Sequence, residues 1–219
     1  MQVAATSRAR DKAASNGDAF VVFQTTGPRP MVVDSSLLGT RRSAFTLDRS
    51  NEYLLAVVDG LGHGIEAAKA ARRVVETIER ALAQPGDLLD IVDECHIAAI
   101  GTRGATLAMA QLGATELNFV GVGNILAQVG RVTSIGVPNA RALISGAGVV
   151  GYQVPESLPI NSTDLEKGEV LVMCSDGVSP SFSLEHLAPE SFQSAKACRD
   201  AIVQRFAVVE DDMTVLVLM

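Results

Sequence analysis

Four carboxylates stand where an apolar run meets a turn. Asp18 follows Ser15-Asn16-Gly17 and opens the β-prone run Ala19 to Phe23. Asp59 closes the apolar run Tyr53 to Val58 and is followed by Gly60. Asp176 comes after Val170 to Met173, in Cys174-Ser175-Asp176-Gly177. Asp211, with Asp212 beside it, directly precedes Met213 to Leu218. An acidic group at the mouth of a buried strand is costly unless it is paired or holds a cation. A β scaffold exposes side chains at a common rim where its strands end, so acids far apart in sequence can converge there. Aspartates without interleaved His or Cys suit the hard cations Mg²⁺ or Mn²⁺ better than zinc. Each aspartate taken alone is more simply a turn or cap residue. Four in the same setting, two of them followed by glycine, point instead to a metal or phosphate site.

Other chemistries fit less well. Gly60-Leu61-Gly62-His63-Gly64 has a superficial likeness to a dinucleotide-binding turn, but Asp59 in front of it would repel a pyrophosphate. The chain has neither a GK[ST] phosphate loop nor a Gly-x-Ser-x-Gly elbow. Cys174 as a phosphatase nucleophile would need a nearby arginine, and Gly177 to Pro180 supplies none. His63 is a candidate acid or a plain turn residue. Arg103 reads as the start of a strand, and His96 and His186 as surface or helix-packing residues.

The elements that must position these residues follow from periodicity. Tyr53 to Val58 is apolar on both faces and predicts a central strand. From Ile65 the period changes: Ile65, Ala68, Ala71, Val75, Ile78 and Leu82 mark the apolar face of a helix packed on a sheet. Pro85-Gly86 stops it, and Asp87 caps a second helix to about Ile100. Thr106 to Leu112, Glu116 to Val122 and Ile125 to Val129 predict a meander. A helix is expected within Pro189 to Phe206, and a last strand from Met213 to Leu218. Gly27 to Ser50 predicts one edge strand at Met31 to Val33 between loops, and Ser134 to Glu166 a looser region. Helices grouped between antiparallel strands predict an α+β layered fold.

Composition narrows the class. The 219 residues suit a single domain, and 47% hydrophobic with 20% charged residues describe a globular chain. Aromatics are 4% and tryptophan is absent, so the core must rest on Val, Leu, Ile and Ala. A net charge of -7 argues against a nucleic-acid partner. Cys95, Cys174 and Cys198 are odd in number and widely spaced, which fits a reducing, cytoplasmic setting. Met1 to Ala14 is Ala-rich and interrupted by Arg8, Arg10 and Asp11, with no apolar core of a signal peptide. Gly104 to Gly130 carries one charge, but its glycines and amides cut it into strand lengths, so it reads as buried sheet and no membrane partner is expected.

In order, Asn16-Gly17-Asp18, Val58-Asp59-Gly60-Leu61-Gly62-His63-Gly64, Arg103-Gly104-Ala105-Thr106, Ser175-Asp176-Gly177 and Asp211-Asp212-Met213-Thr214 resemble the motifs of the metal-dependent serine/threonine phosphatases of type 2C. Within them the chain is similar to the stage II sporulation protein E (SpoIIE) subfamily, and to its stand-alone RsbX type, which resets stressosomes. The resemblance runs from about Gly17 to Leu218. It implies a four-layer α-β-β-α sandwich, two antiparallel sheets flanked by helix pairs, with two Mn²⁺ or Mg²⁺ at one end. By motif position Asp59 would bridge both metals and the Gly60 carbonyl would bind the second. Asp176 and Asp211 would hold the first, and Asp18 would bind the second or orient its waters. Asp212 stands where many relatives carry Asn, which implies a supporting role. The implied reaction is in-line attack on phosphorus by a metal-activated hydroxide; His63, by its own chemistry, is either the acid that protonates the departing serine or a turn residue with only a packing role. Implied substrates are phosphorylated STAS-domain stressosome proteins, acted on by a monomer. The alternatives are a phosphorylated anti-sigma factor antagonist as substrate, or a non-catalytic phosphoprotein-binding module.

Overall fold

The computed structural model describes residues 1–11, 15–37 and 39–219, so part of the N-terminal Ala-rich stretch and one position of the Gly27 to Ser50 segment lie outside the described residues. The strands are β1 (Gln2–Arg8), β2 (Asp18–Gln24), β3 (Met31–Ser35), β4 (Arg41–Thr46), β5 (Tyr53–Gly60), β6 (Ala105–Leu112), β7 (Glu116–Val122), β8 (Leu126–Arg131), β9 (Arg141–Ala142), β10 (Asn161–Asp164), β11 (Glu169–Cys174) and β12 (Met213–Leu218). The α-helices are α1 (Ile65–Ala81), α2 (Leu88–Ala99) and α3 (Ala195–Phe206). One six-stranded sheet has the order β4-β1-β12-β11-β8-β9 and the other β10-β7-β6-β5-β2-β3. Every pairing between these strands is antiparallel.

The period-2 geometry of a strand explains why the central runs read as apolar throughout. Along β2, Phe20 and Val22 enter the core between the sheets, while Ala19, Val21 and Phe23 pack beneath α1 and α2. Along β12, Leu216 and Leu218 face inward, and Met213, Val215 and Val217 pack beneath α3. Both faces of these strands are covered, so neither can be polar. The result is a four-layer α+β sandwich. One outer layer is the antiparallel pair α1 and α2. The other holds the single α-helix α3, preceded by two short 3-10 turns at Leu184–His186 and Pro189–Gln193, where one continuous helix was expected.

Two expectations change, and the N-terminus, to which no element was assigned, gains one. The Ala-rich N-terminus is a strand, β1, wedged between β4 and β12, with Val3 to Ser7 buried. Small side chains there let α3 approach closely: Arg199, buried in that helix, donates to the Ala5 and Ser43 carbonyls. The Gly27 to Ser50 segment forms two edge strands rather than one, β3 on one sheet and β4 on the other. The region from Ser134 to Glu166 contributes the short edge strands β9 and β10. All three cysteines are buried and free, and burial pushes each thiol pKa upward. Among the described residues no helix is long and apolar enough to cross a membrane.

The two Asp-Gly pairs mark places where another backbone passes. A Cβ on Gly60 would stand 2.1 Å from the Ala67 carbonyl oxygen of α1, and one on Gly177 would stand 1.9 Å from the Asp212 carbonyl oxygen. Only glycine permits either approach. Gly177→Ala should therefore cost on the order of 3 kcal/mol, because rigid backbone has to move to admit the methyl. Gly113→Ala, where the nearest atom to a Cβ would be 3.8 Å away, should change stability by less than about 0.5 kcal/mol. Urea denaturation of both variants checks the contrast.

Candidate metal centre

The two sheets bring their acids to one end of the sandwich. In the helix-paired sheet, Asp18 opens β2 and lies directly opposite Asp59 on β5, which in turn lies opposite Thr106 on β6. The Gly60 amide donates to the Gly17 carbonyl at 3.0 Å and extends this pairing past the strand end. In the other sheet, Asp176 stands two residues beyond β11, and Asp211 stands two residues before β12. These strands are neighbours, and the Ser175 amide donates to the Thr214 carbonyl at 3.0 Å. The loops carrying Asp176 and Asp211 therefore leave the sheet side by side.

A cleft of about 600 Å³ opens over this rim, lined by Asp59, Leu61, Gly62, Thr106, Gly123, Asn124, Ala147, Gly148, Val149, Asp176 and Asp211. Asp59 lies close enough to Asp18 and Asp176 for its carboxyl to feel the charge of both. Asn124 donates its side-chain amide to Asp176 Oδ2 at 3.0 Å. The Thr106 hydroxyl is buried with no hydrogen-bond partner. Asn124 and Thr106 line the cleft; Thr106 closes the Arg103-Gly104-Ala105-Thr106 motif, but neither was given a role from sequence. Their signal was weak: a polar residue after a glycine at one strand start, and a threonine within another strand.

Not every acid of the motifs enters the cleft. Asp212 is 3% exposed, and its two carboxylate oxygens accept the backbone amides of Arg10 at 2.8 Å and Gly17 at 2.7 Å. It clamps the segment leading into Asp18. His63 is exposed in the turn before α1 and is not a cleft-lining residue, although its neighbour Gly62 is. The Gly62 φ of 83° falls in the left-handed region, and the Arg103 guanidinium occupies the space a side chain would need there. His96 accepts from the Gly151 amide at 3.1 Å, a packing role.

The electrostatics are those of an acidic cluster whose charges repel one another. Burial raises the Asp18 carboxyl to about 7, a shift opposed by the Ser175 hydrogen bond and reinforced by the charges of Asp212 and Asp176. Asp59 is raised further, by burial first and then by the charges of Asp18 and Asp176. Asp211 is raised by partial burial and by Asp176. No ion pair among the described residues involves Asp18, Asp59, Asp176 or Asp211. Nor do three or more Asp, Glu, His or Cys side chains among the described residues form a ready-made ligand set. Asp18 and Asp59 instead keep their protons above the ordinary carboxylate range, and a bound cation would compete with those protons. An all-oxygen, strongly negative group with no ion pair among the described residues fits a hard divalent ion.

The fold with an acidic rim at one end of its sandwich is that of the metal-dependent PP2C phosphatases. A chain solved in work on the bacterial stressosome, described as a modular system adapted to control secondary messenger signaling, superposes with a TM-score of 0.76, covering 99% of this chain and 97% of that one at 24% identity. RsbX, crystallised in complex with magnesium, gives 0.72 over 99% and 94% at 18% identity. The PP2C phosphatase domain of SpoIIE from Bacillus subtilis, solved with a fragment of its regulatory domain, gives 0.70 over 99% and 62% at 18% identity. No curated protein matches the chain in sequence. Residues 49–219 match the family model of stage II sporulation protein E (SpoIIE). The chain belongs to the SpoIIE family of PP2C-type serine/threonine phosphatases.

The raised carboxyls make stability depend on pH and metal together. An unfolded aspartate titrates near ~3.9, whereas folded Asp18 holds its proton to about 7 and Asp59 holds its proton longer. The folded state therefore binds more protons across this window, and the stability of chelator-treated protein is highest at its acidic end and is lost as pH rises through about 7. The melting temperature in EDTA should fall between roughly pH 5 and pH 8. Asp59→Asn should flatten that fall, and Mg²⁺ should raise the melting temperature more at the higher pH, where fewer protons compete. Scanning calorimetry at both pH values, with and without metal, checks all three.

Proposed function

We propose that residues 1–219 act as one metal-dependent protein phosphatase domain that removes phosphate from serine or threonine of STAS-domain stressosome proteins. The single observation that carries the metal reading is the convergence of Asp18, Asp59, Asp176 and Asp211 from two sheets onto one rim, with no ion pair to any of them among the described residues. The likeness to RsbX and to a chain from stressosome work supports the choice of substrate. Dephosphorylation of an anti-sigma factor antagonist is the second reading, supported by membership of the SpoIIE family.

In this reading Asp59 would be shared by two Mn²⁺ or Mg²⁺ at the rim, Asp176 and Asp211 would hold the first, and Asp18 with the Gly60 carbonyl would serve the second. When bound, such cations lower the pKa of a coordinated water and polarise phosphoryl oxygens. The chain's own residues do the rest. Asp59 is held at the rim between Asp18 on β2 and Thr106 on β6. Asn124 orients Asp176 through its amide. The Ala147 to Val149 wall closes the apolar side of the cleft. Asp212 supports the site from outside by holding the Gly17 amide. The protein is proposed to work as a cytoplasmic monomer, without nucleic acid or membrane.

Hydrolysis of p-nitrophenyl phosphate and of a phosphorylated STAS-domain protein, both with Mn²⁺, tests the reading. Wild type should turn over both, and Asp59→Asn should lose at least ~10³-fold of that rate, since one change removes the charge shared by both ions. Absence of metal-dependent turnover in wild type would leave only a phosphoprotein-binding module. His63 is the proposed proton donor to the leaving serine, and its contribution depends on the leaving group. A serine alkoxide needs a proton, whereas nitrophenolate leaves unaided. His63→Ala should therefore slow the phosphoprotein reaction by ~10²-fold and leave the nitrophenyl ester near wild type. Equal effects on the two substrates would assign His63 to the turn alone.

A further inference from the structure

The polar groups that hold Asp18 belong largely to the opposite sheet. Asp18 opens β2, yet its Oδ2 accepts a hydrogen bond from the hydroxyl of Ser175, which follows β11. Its backbone carbonyl accepts a longer bond, 3.5 Å, from Ser7 on β1. Thr214 on β12 serves both serines: its amide donates to Ser175 Oγ at 2.8 Å and its hydroxyl to Ser7 Oγ at 2.7 Å. Ser7, Ser175 and Thr214 are each at most 1% exposed.

The amide donors fix part of the proton order in this chain. A backbone amide can only donate, so Ser175 Oγ is an acceptor toward Thr214 and its one hydrogen goes to Asp18. Ser7 Oγ likewise accepts from Thr214 and from the Asn16 side-chain amide at 2.7 Å, leaving its hydrogen for the Asp18 carbonyl. Three buried hydroxyls would be costly if unmatched, and here each is matched. Apolar packing would hold the sheets together as well. A hydroxyl chain adds direction, because it commits one Asp18 oxygen to the interior and sets the rotation of the carboxylate.

Ser175 is also the immediate neighbour of Asp176. Ser175 opens the turn closed by the Val178 amide on its carbonyl at 3.1 Å, and this turn carries the Asp176 side chain to the cleft while the serine hydroxyl reaches Asp18 of the opposite sheet. Resting on the metal-centre reading above, we infer that Ser175 is a positioning residue: through its hydroxyl, the sheet that presents Asp176 and Asp211 sets the orientation of Asp18 in the opposite sheet. The metal-binding rim then becomes one unit across the sandwich.

The test measures metal binding itself. Mn²⁺ is titrated calorimetrically into folded, metal-free wild type, Ser175→Ala, Ser175→Thr and Thr77→Val, with folding checked by circular dichroism. Thr77 is a stability control, since it carries a buried hydroxyl bonded to the Arg73 carbonyl at 2.8 Å within α1. Groups that orient metal ligands through hydrogen bonds typically contribute ~10- to 100-fold in affinity. Ser175→Ala should bind Mn²⁺ at least ~10-fold more weakly than wild type. Ser175→Thr should restore binding, and Thr77→Val should lose stability with unchanged affinity. Should the alanine variant fail to fold, Ser175→Cys, which fills the space but donates weakly, takes its place with the same expectation. Wild-type affinity in the alanine or cysteine variant overturns the inference alone, as does equal weakening by Thr77→Val. Failure of wild type to bind Mn²⁺ overturns the metal-centre reading and the inference with it.

Discussion

Carboxylates repel one another, and burial strengthens the repulsion; the whole end of this sandwich is arranged around holding several of them together. Asp59 lies within hydrogen-bonding reach of both Asp18 and Asp176, and burial with mutual charge drives the Asp18 and Asp59 carboxyls to keep their protons. Such a cluster destabilises a fold unless protons or cations occupy it. The energy that tolerates it comes from elsewhere, from three apolar cores stacked through the four layers. A rigid scaffold under a strained polar site is the usual relation between packing and function.

Rigidity at the rim has identifiable sources. The glycines after Asp59 and Asp176 let Ala67 of α1 and Asp212 pass within van der Waals contact of the main chain. Gly17 is squeezed in the same way, since a Cβ there would stand 2.8 Å from Asp212 Oδ2 and 2.9 Å from the Ala67 Cβ. Helix α1, the segment before β2 and the segment before β12 thus meet at one point beside the acids. Displacing any of them moves the others. The hydroxyl chain through Ser7, Thr214 and Ser175 gives the same contact zone its polar order.

The cleft side of the rim is looser in composition. Asn124, Ala147, Gly148 and Val149 come from the turn before β8 and the segment after β9, and they face Asp59 and Asp176 across the opening. A mostly apolar wall opposite an acidic floor separates the two tasks of the site: charge is concentrated where ions and phosphate would sit, and shape is set by loops that can differ between relatives without disturbing the core.

Much of this was readable from residue order. The run Tyr53 to Gly60, the helix from Ile65 and the meander after Gly104 declare themselves through hydrophobic periodicity, because their burial is set by their own sheet or helix geometry. The pairing of acids with strand ends, and the order of the motifs, were enough to suggest a PP2C-type phosphatase. β1 and β4 were not readable. An Ala-rich strand with arginines at its end looks like a tail until α3 and β12 cover it, and Arg41 to Thr46 looks like a loop until β1 pairs with it. Likewise Asp211 and Asp212 are adjacent and chemically identical, yet one lines the cleft and the other clamps the Arg10 and Gly17 amides. The sequence by itself determined which residues could bind a hard cation and which segments could carry them. Only the tertiary structure decided which face each acid turned to, because that depends on what another strand, distant in the chain, leaves unpaired beside it.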